Sequence, residues 1–273
     1  MNVGILGTGN MGKIIIEALI ESGAISPSNL NITNRTLNKA REVQLQYEKV
    51  NLLDTNKDVI QNSDIIFICV KPHDIYGILQ ENRALFSRDK CLVSITSPIS
   101  VEQLQTVVDC SCARAIPSIT NRALSGVSLL TFGESCSEKW RQTISDLLNK
   151  ISRPVEIEEK ITRVSSDIVS CGPAFFSYLT QRFINAAVKE TEINNETATI
   201  LASEMLIGLG DLLKKEIYTL PTLQEKVCVK GGITGVGISA MEKELGNVFE
   251  ELIKATHDKY KKDREETQSQ FGL

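Results

Sequence analysis

Two glycine-rich stretches stand near opposite ends of the chain, and each could bring bare backbone up to a ligand. The first, GTGNMG at 7–12, has the spacing G-x-G-x-x-G. It follows the apolar run Val3–Leu6 and opens a helical pattern, the context in which this spacing binds a dinucleotide. Gly7 permits a tight turn, Gly9 lets backbone approach a pyrophosphate, and Gly12 lets the helix pack on the strand. The N–H groups across Thr8, Asn10 and Met11, together with the helix dipole, would hold the phosphates. A glycine turn with no nucleotide is the alternative. After the second apolar run comes Asn34-Arg35-Thr36, where NAD-preferring sites carry an acidic residue for the ribose hydroxyls. Arginine can pair with a 2′-phosphate, and no local carboxylate opposes it. The cofactor expected is therefore NADPH (NADP+), with NADH less favoured; the alternative leaves Arg35 as a solvated surface residue. The second stretch, KGGITGVG at 230–237, places four glycines in eight residues directly before another helical pattern.

Other chemistries are poorly supplied. The chain has two histidines, His73 and His257, which argues against a histidine metal cage, and neither has a G-x-S-x-G partner for hydrolase chemistry. Seven cysteines are scattered, several in apolar runs, and read as free thiols of a reducing cytoplasm. Cys110 and Cys112 lack a second pair, so no metal site is expected. A formal net charge of −4 argues against broad binding to nucleic acid or anionic membrane. No segment approaches the ~20 apolar residues of a membrane span, and the N-terminal run lacks the pattern of a signal peptide. The expectation is a cytoplasmic protein acting on a small molecule.

The elements that must position these residues alternate through the first half. Strand-like runs at 3–6, 30–33, 49–53, 64–70, 91–95, 113–116 and 126–132 alternate with helical stretches, which predicts an α/β fold with a Rossmann-like, mostly parallel sheet. From about Ile161 only helices are expected. Pro173 opens one, residues 194–216 form a second, and a third covers about 239–261, with the polar tail beyond it frayed. The expected division is a Rossmann domain over 1–158 and an all-α domain over 159–273. Long helices with apolar faces to spare point to a second subunit.

GTGNMG, TNR at 33–35 and CVKP at 69–72, read with SCGPAFF at 170–176 and VCVKGGITGVG at 227–237, resemble the pyrroline-5-carboxylate reductase family across nearly the whole chain. The last two look like that family's S-G-S-G-P-A and V-T-S-P-G-G-T-T motifs. The resemblance implies NADPH-dependent reduction of a cyclic imine, 1-pyrroline-5-carboxylate, to L-proline, and a helical dimerisation domain whose dimers in some members assemble into larger rings. By position it places cofactor contacts on Gly7–Gly12, Asn34, Arg35, Asn56, Cys69, Val70, Lys71 and Pro72, with Ile95 and Thr96 in the loop beside the nicotinamide. It assigns substrate contacts to Gly231, Gly232, Ile233 and Thr234, with the Thr234 hydroxyl near the ring nitrogen and the amides on the carboxylate.

The substrate loops depart from the family pattern. Val229-Lys230 replaces Ser-Pro, Pro117-Ser118-Ile119-Thr120 replaces P-N-T-P, and Cys171, expected at a helix start, replaces the second serine of its motif. This uneven drift resembles the family's late-competence-operon branch. It keeps open an alternative from another class: an NADP(H)-binding paralogue with weak or no turnover and a regulatory role in competence or sporulation. A 6-phosphogluconate-type dehydrogenase ranks last, because its catalytic lysine lies within a glycine-rich helix whereas Lys230 precedes the glycines.

Overall fold

The computed structural model describes residues 1–272. It divides into two compact units, residues 1–173 together with the segment from Ile253, and Ala174–Leu252.

The first unit is an α/β sandwich. Its strands are β1 (Val3–Leu6), β2 (Leu30–Thr33), β3 (Asn51–Leu52), β4 (Ile65–Ile68), β5 (Cys91–Ser94), β6 (Ser111–Ile116), β7 (Val127–Phe132) and β8 (Arg153–Glu156). They form one eight-stranded sheet in the order β3-β2-β1-β4-β5-β6-β7-β8, parallel except for the antiparallel pair β6–β7. The order reverses at β1, so a crevice opens beyond the carboxyl ends of β1 and β4. β8, RPVE, was not anticipated as a strand. It lies at the sheet edge, where Pro154 needs no ladder partner for its missing N–H.

Strand alternation makes two cores. Ile5, Phe67 and Val93 face one side, and Leu6, Ile68 and Leu92 face the other, as a period of two requires. The first side is covered by α1 (Asn10–Glu21), α2 (Leu37–Gln46) and, later in the chain, Glu138–Asn149. The second is covered by α3 (Asn56–Gln61), α4 (Pro72–Glu81) and α5 (Val101–Gln105). The helix Glu138–Asn149 is α6, and α7 (Thr162–Ser166) leads into a π-helical turn, Asp167–Cys171, and then α8 (Gly172–Glu190). Pro173 therefore does not start a helix but lies within a continuous helical path. A wide turn just before it accommodates a residue that cannot donate to the backbone ladder.

The second unit continues with α9 (Asn195–Lys214), α10 (Leu220–Val227) and α11 (Ile233–Leu245). The single helix expected over 239–261 is broken at Gly246, which takes φ +50°. Beyond the break runs α12 (Val248–Phe271), which from Ile253 onward belongs to the first unit. The tail is not frayed: Phe271 is buried in the second core and meets Tyr76 of α4 edge-on, ring centroids 5.0 Å apart. Phe271, with Thr267 buried one turn earlier, docks this polar segment.

Candidate functional site

The glycine cradle takes the form its spacing implies. Gly7 has φ +99°, a left-handed conformation that other residues resist. A methyl group at Gly12 would lie 2.1 Å from the Gly7 carbonyl oxygen, so α1 can meet the turn only because Gly12 lacks a Cβ. At Gly9 nothing stands within 4 Å of the Cβ position, which leaves its backbone open to a ligand. The Thr8 N–H donates to Asn34 Oδ1 (3.1 Å), tying the cradle to the end of β2. Thr8 Oγ1 is buried and has no hydrogen-bond partner among the described residues. Asn10, Met11 and Gly12 form the first turn of α1, whose amides have no intrahelical acceptors. An open approach, a donor-rich helix start and an orphaned hydroxyl suit a pyrophosphate.

A cleft of about 840 Å³ extends from this cradle and is lined by Gly7, Gly9, Asn34, Arg35, Asn56, Cys69, Val70 and Lys71. The sequence-predicted residues on four separate segments thus converge. Pro72 begins α4 at the cleft wall, and Lys71 is its exposed N-cap. At Cys69 burial pushes the thiol well above its ordinary range, so no thiolate is available there. Lys39 and Lys57 also line the cleft and were missed, although each lies within four residues of a predicted contact.

One expectation about this wall is overturned. No carboxylate stands near Arg35 in sequence, but Asp74, in the first turn of α4, reaches across the cleft to it, with Arg35 Nη1 3.8 Å from Asp74 Oδ1. His73 Nε2 lies 3.6 Å from the same oxygen. An anion bound beside Arg35 would therefore meet Asp74 as well.

Ile95 and Thr96 follow β5 at the same edge as the cradle, since Leu6, Ile68 and Ser94 are in register on adjacent parallel strands. They do not line the cleft around Arg35. A dinucleotide lying across this edge with its adenosine on the β2 side would bring its other end toward them. Behind them lies a buried cation that sequence reading passed over as part of an apolar strand. Arg114 of β6 is fully buried; it donates to Glu159 Oε2 (2.5 Å), Thr162 Oγ1 (2.6 Å), Ser97 O (3.2 Å) and Ile99 O (3.3 Å).

The two drifted motifs of the first unit are locked together. Ser118 Oγ donates to Val169 O (2.8 Å) and Ser170 Oγ donates to Pro117 O (2.7 Å). Ser118 is buried, and its hydroxyl proton is spent on the Val169 carbonyl, whereas Ile119 is half exposed. Cys171 ends the π-helical turn rather than starting a helix, so no helix terminus faces its thiol; Arg163 Nη2 lies 3.4 Å from its sulfur.

In the second unit, Gly231 takes φ +77° and Gly232 is the N-cap of α11. The Gly232 N–H already donates to Val229 O (2.9 Å). Ile233 and Thr234 occupy the first turn of α11 and are exposed, as is Lys230.

Residues 159–263 match the family model for pyrroline-5-carboxylate reductase dimerisation, and residues 2–98 match that for NADP oxidoreductase, coenzyme F420-dependent. ComE operon protein 4 of Bacillus subtilis is 52% identical over the full length of both chains. Pyrroline-5-carboxylate reductase 3 of the same organism is 27% identical over 94% of this chain and 95% of its own. The chain belongs to the pyrroline-5-carboxylate reductase family. Within it, the likeness to ComE operon protein 4 places the chain on the competence branch. The family fold is also seen in the Plasmodium falciparum pyrroline carboxylate reductase with NADP bound (TM-score 0.82, 21% identity, 99% and 98% of the two chains). The Coxiella burnetii pyrroline-5-carboxylate reductase gives a TM-score of 0.84 at 22% identity, over 97% of each chain. The protein thus has the fold of the family's NADP-dependent reductases, with a helical region of the family's dimerisation type. Among the described residues no helix is long and apolar enough to cross a membrane.

Proposed function

We propose that this protein is a homodimeric, NADPH-dependent reductase of a cyclic imine, with 1-pyrroline-5-carboxylate as substrate and L-proline as product. The observation that carries this reading is the glycine cradle opening into a cleft that holds Arg35, Lys39 and Lys57, cations suited to a 2′-phosphate. Asn34 holds the cradle to β2, and Asn56 lies on the adenosine side. When bound there, the cofactor supplies the hydride that reduces the carbon–nitrogen double bond.

The chain's own work is alignment and charge. The Gly232 N–H is engaged, so the donors for the substrate carboxylate narrow to the Gly231 N–H and the first-turn amides of α11, at Ile233 and Thr234, reinforced by the helix dipole. The Thr234 hydroxyl holds the ring nitrogen and its proton. The dimer is supported by the second unit's exposed apolar side chains, among them Phe176, Phe183 and Ile207.

The test is oxidation of NADPH by purified protein with pyrroline-5-carboxylate. Loss of a hydrogen bond to a charged ring nitrogen costs ~1.5–3 kcal/mol, so Thr234→Ala should lower kcat about ten- to hundred-fold. The spent hydroxyl of Ser118 favours a second reading, in which the paralogue binds NADP(H) for a regulatory role. Tight NADPH binding with no turnover at high protein concentration would select it.

A further inference from the structure

The loop after β5 is held by an element far from it in sequence. Three consecutive carbonyls, at Ser97, Pro98 and Ile99, are all taken up by side chains. Ser97 O accepts from Arg114 Nη1 (3.2 Å) and from Tyr260 Oη (3.2 Å). Pro98 O accepts from Thr267 Oγ1 (3.3 Å), and Ile99 O from Arg114 Nη1 (3.3 Å). Tyr260, Thr267 and Phe271 recur on α12 at spacings of seven and four residues, which stacks them on one helix face. That face is anchored at its end by Phe271 in the second core.

Tyr260 is built into this position. Two guanidinium groups lie over its ring, Arg163 at 5.7 Å and Arg264 at 6.0 Å from the centroid. Burial, with Glu159 nearby, pushes its phenol above the ordinary range, so it remains a donor. Arg163 also reaches the same loop, with Nη1 3.4 Å from Ser97 Oγ. The Ser97 peptide is therefore gripped from the core side by Arg114 and from the helix side by Tyr260.

We propose that Tyr260 is a positioning residue for the loop Ile95–Ile99, and through it for the nicotinamide end of the cofactor. The proposal rests on the cofactor reading above. In that reading the adenosine occupies the cleft between the ends of β2 and α4, and the nicotinamide lies toward β5. Tyr260 touches neither. Its hydroxyl fixes the plane of the Ser97 peptide, and this decides whether Ile95 and Thr96 form a flat wall or a loose one.

The experiment is isothermal titration of the full-length protein and its Tyr260→Phe variant with two ligands. NADPH carries the nicotinamide; adenosine 2′,5′-bisphosphate carries only the adenosine end. One net hydrogen bond in this setting amounts to about a two- to ten-fold change in affinity. NADPH binding should weaken by that factor in Tyr260→Phe, while adenosine 2′,5′-bisphosphate binds as before. A merely structural role would move both ligands together or neither, and either result overturns the proposal. Wild-type protein that binds neither ligand overturns the cofactor reading itself, and this proposal with it.

Discussion

The two units handle the same kind of residue in opposite ways. In the first, Ile5, Leu6, Phe67, Ile68 and Leu92 have no exposed surface, and even the arginine of β6 is fully enclosed with partners. In the second, the buried apolar cluster is only Ile184, Ala198 and Ala202, while Phe183 is 68% exposed and Ile207 59%. A chain that leaves so much apolar surface bare on helices of 19 and 20 residues has another surface to cover it. The first unit is completed by its own chain, down to Phe271. The second leaves its apolar helix faces to the partner copy of the proposed dimer.

The contrast breaks if substitution hurts both regions alike. The largest effect is expected at Arg114. Arg114→Met leaves the Glu159 carboxylate beside a hydrophobic side chain and releases the 97–99 loop. It should cost about 3 kcal/mol of stability, read as a fall in the urea midpoint. An unchanged midpoint would mean that the buried arginine is replaceable and that the first unit does not depend on this enclosed ion pair. Phe183→Glu in the second unit should instead leave the secondary structure of the protomer intact. Interface anchors contribute ~2 kcal/mol or more, so the dimer should dissociate about thirty-fold more readily by analytical ultracentrifugation. If Phe183→Glu unfolds the protomer without changing its association, that face is not an interface.

The smallest effect tests the cleft. Exposed ion pairs are worth ~0.2–1 kcal/mol, and Arg35 is 85% exposed. Asp74→Asn removes a carboxylate that holds Arg35 and opposes an anion beside it. Its NADPH affinity should rise about two- to five-fold, with NADH affinity unmoved. Equal gains for both cofactors would place Asp74 away from the 2′-phosphate.

Much of this molecule follows from neighbours in sequence. G-x-G-x-x-G after an apolar strand, the alternation of strand and helix, and Asn34-Arg35 at the end of β2 are local patterns. Each is dictated by backbone sterics and by which peptide groups a turn leaves unpaired. That sufficed for the fold class, the cradle and the convergence of Asn34, Asn56 and Lys71 on one cleft, because a parallel sheet carries every strand's carboxyl end to the same edge. The final glycine motif was equally visible, but the capture of the Gly232 amide by Val229 was not, since its partner depends on the φ of Gly231.

What only the tertiary structure decided are the pairings between distant segments. Asp74 opposes Arg35 because α4 starts across the cleft from β2. Ser118 spends its hydroxyl on the Val169 carbonyl and Ser170 on the Pro117 carbonyl. Tyr260 grips a carbonyl 163 residues earlier in the chain, and Phe271 docks a tail whose polarity alone suggested fraying. A charge or a hydroxyl shows in sequence what it can do. Its partner is set by which elements pack together, and that depends on the burial of every strand and helix at once.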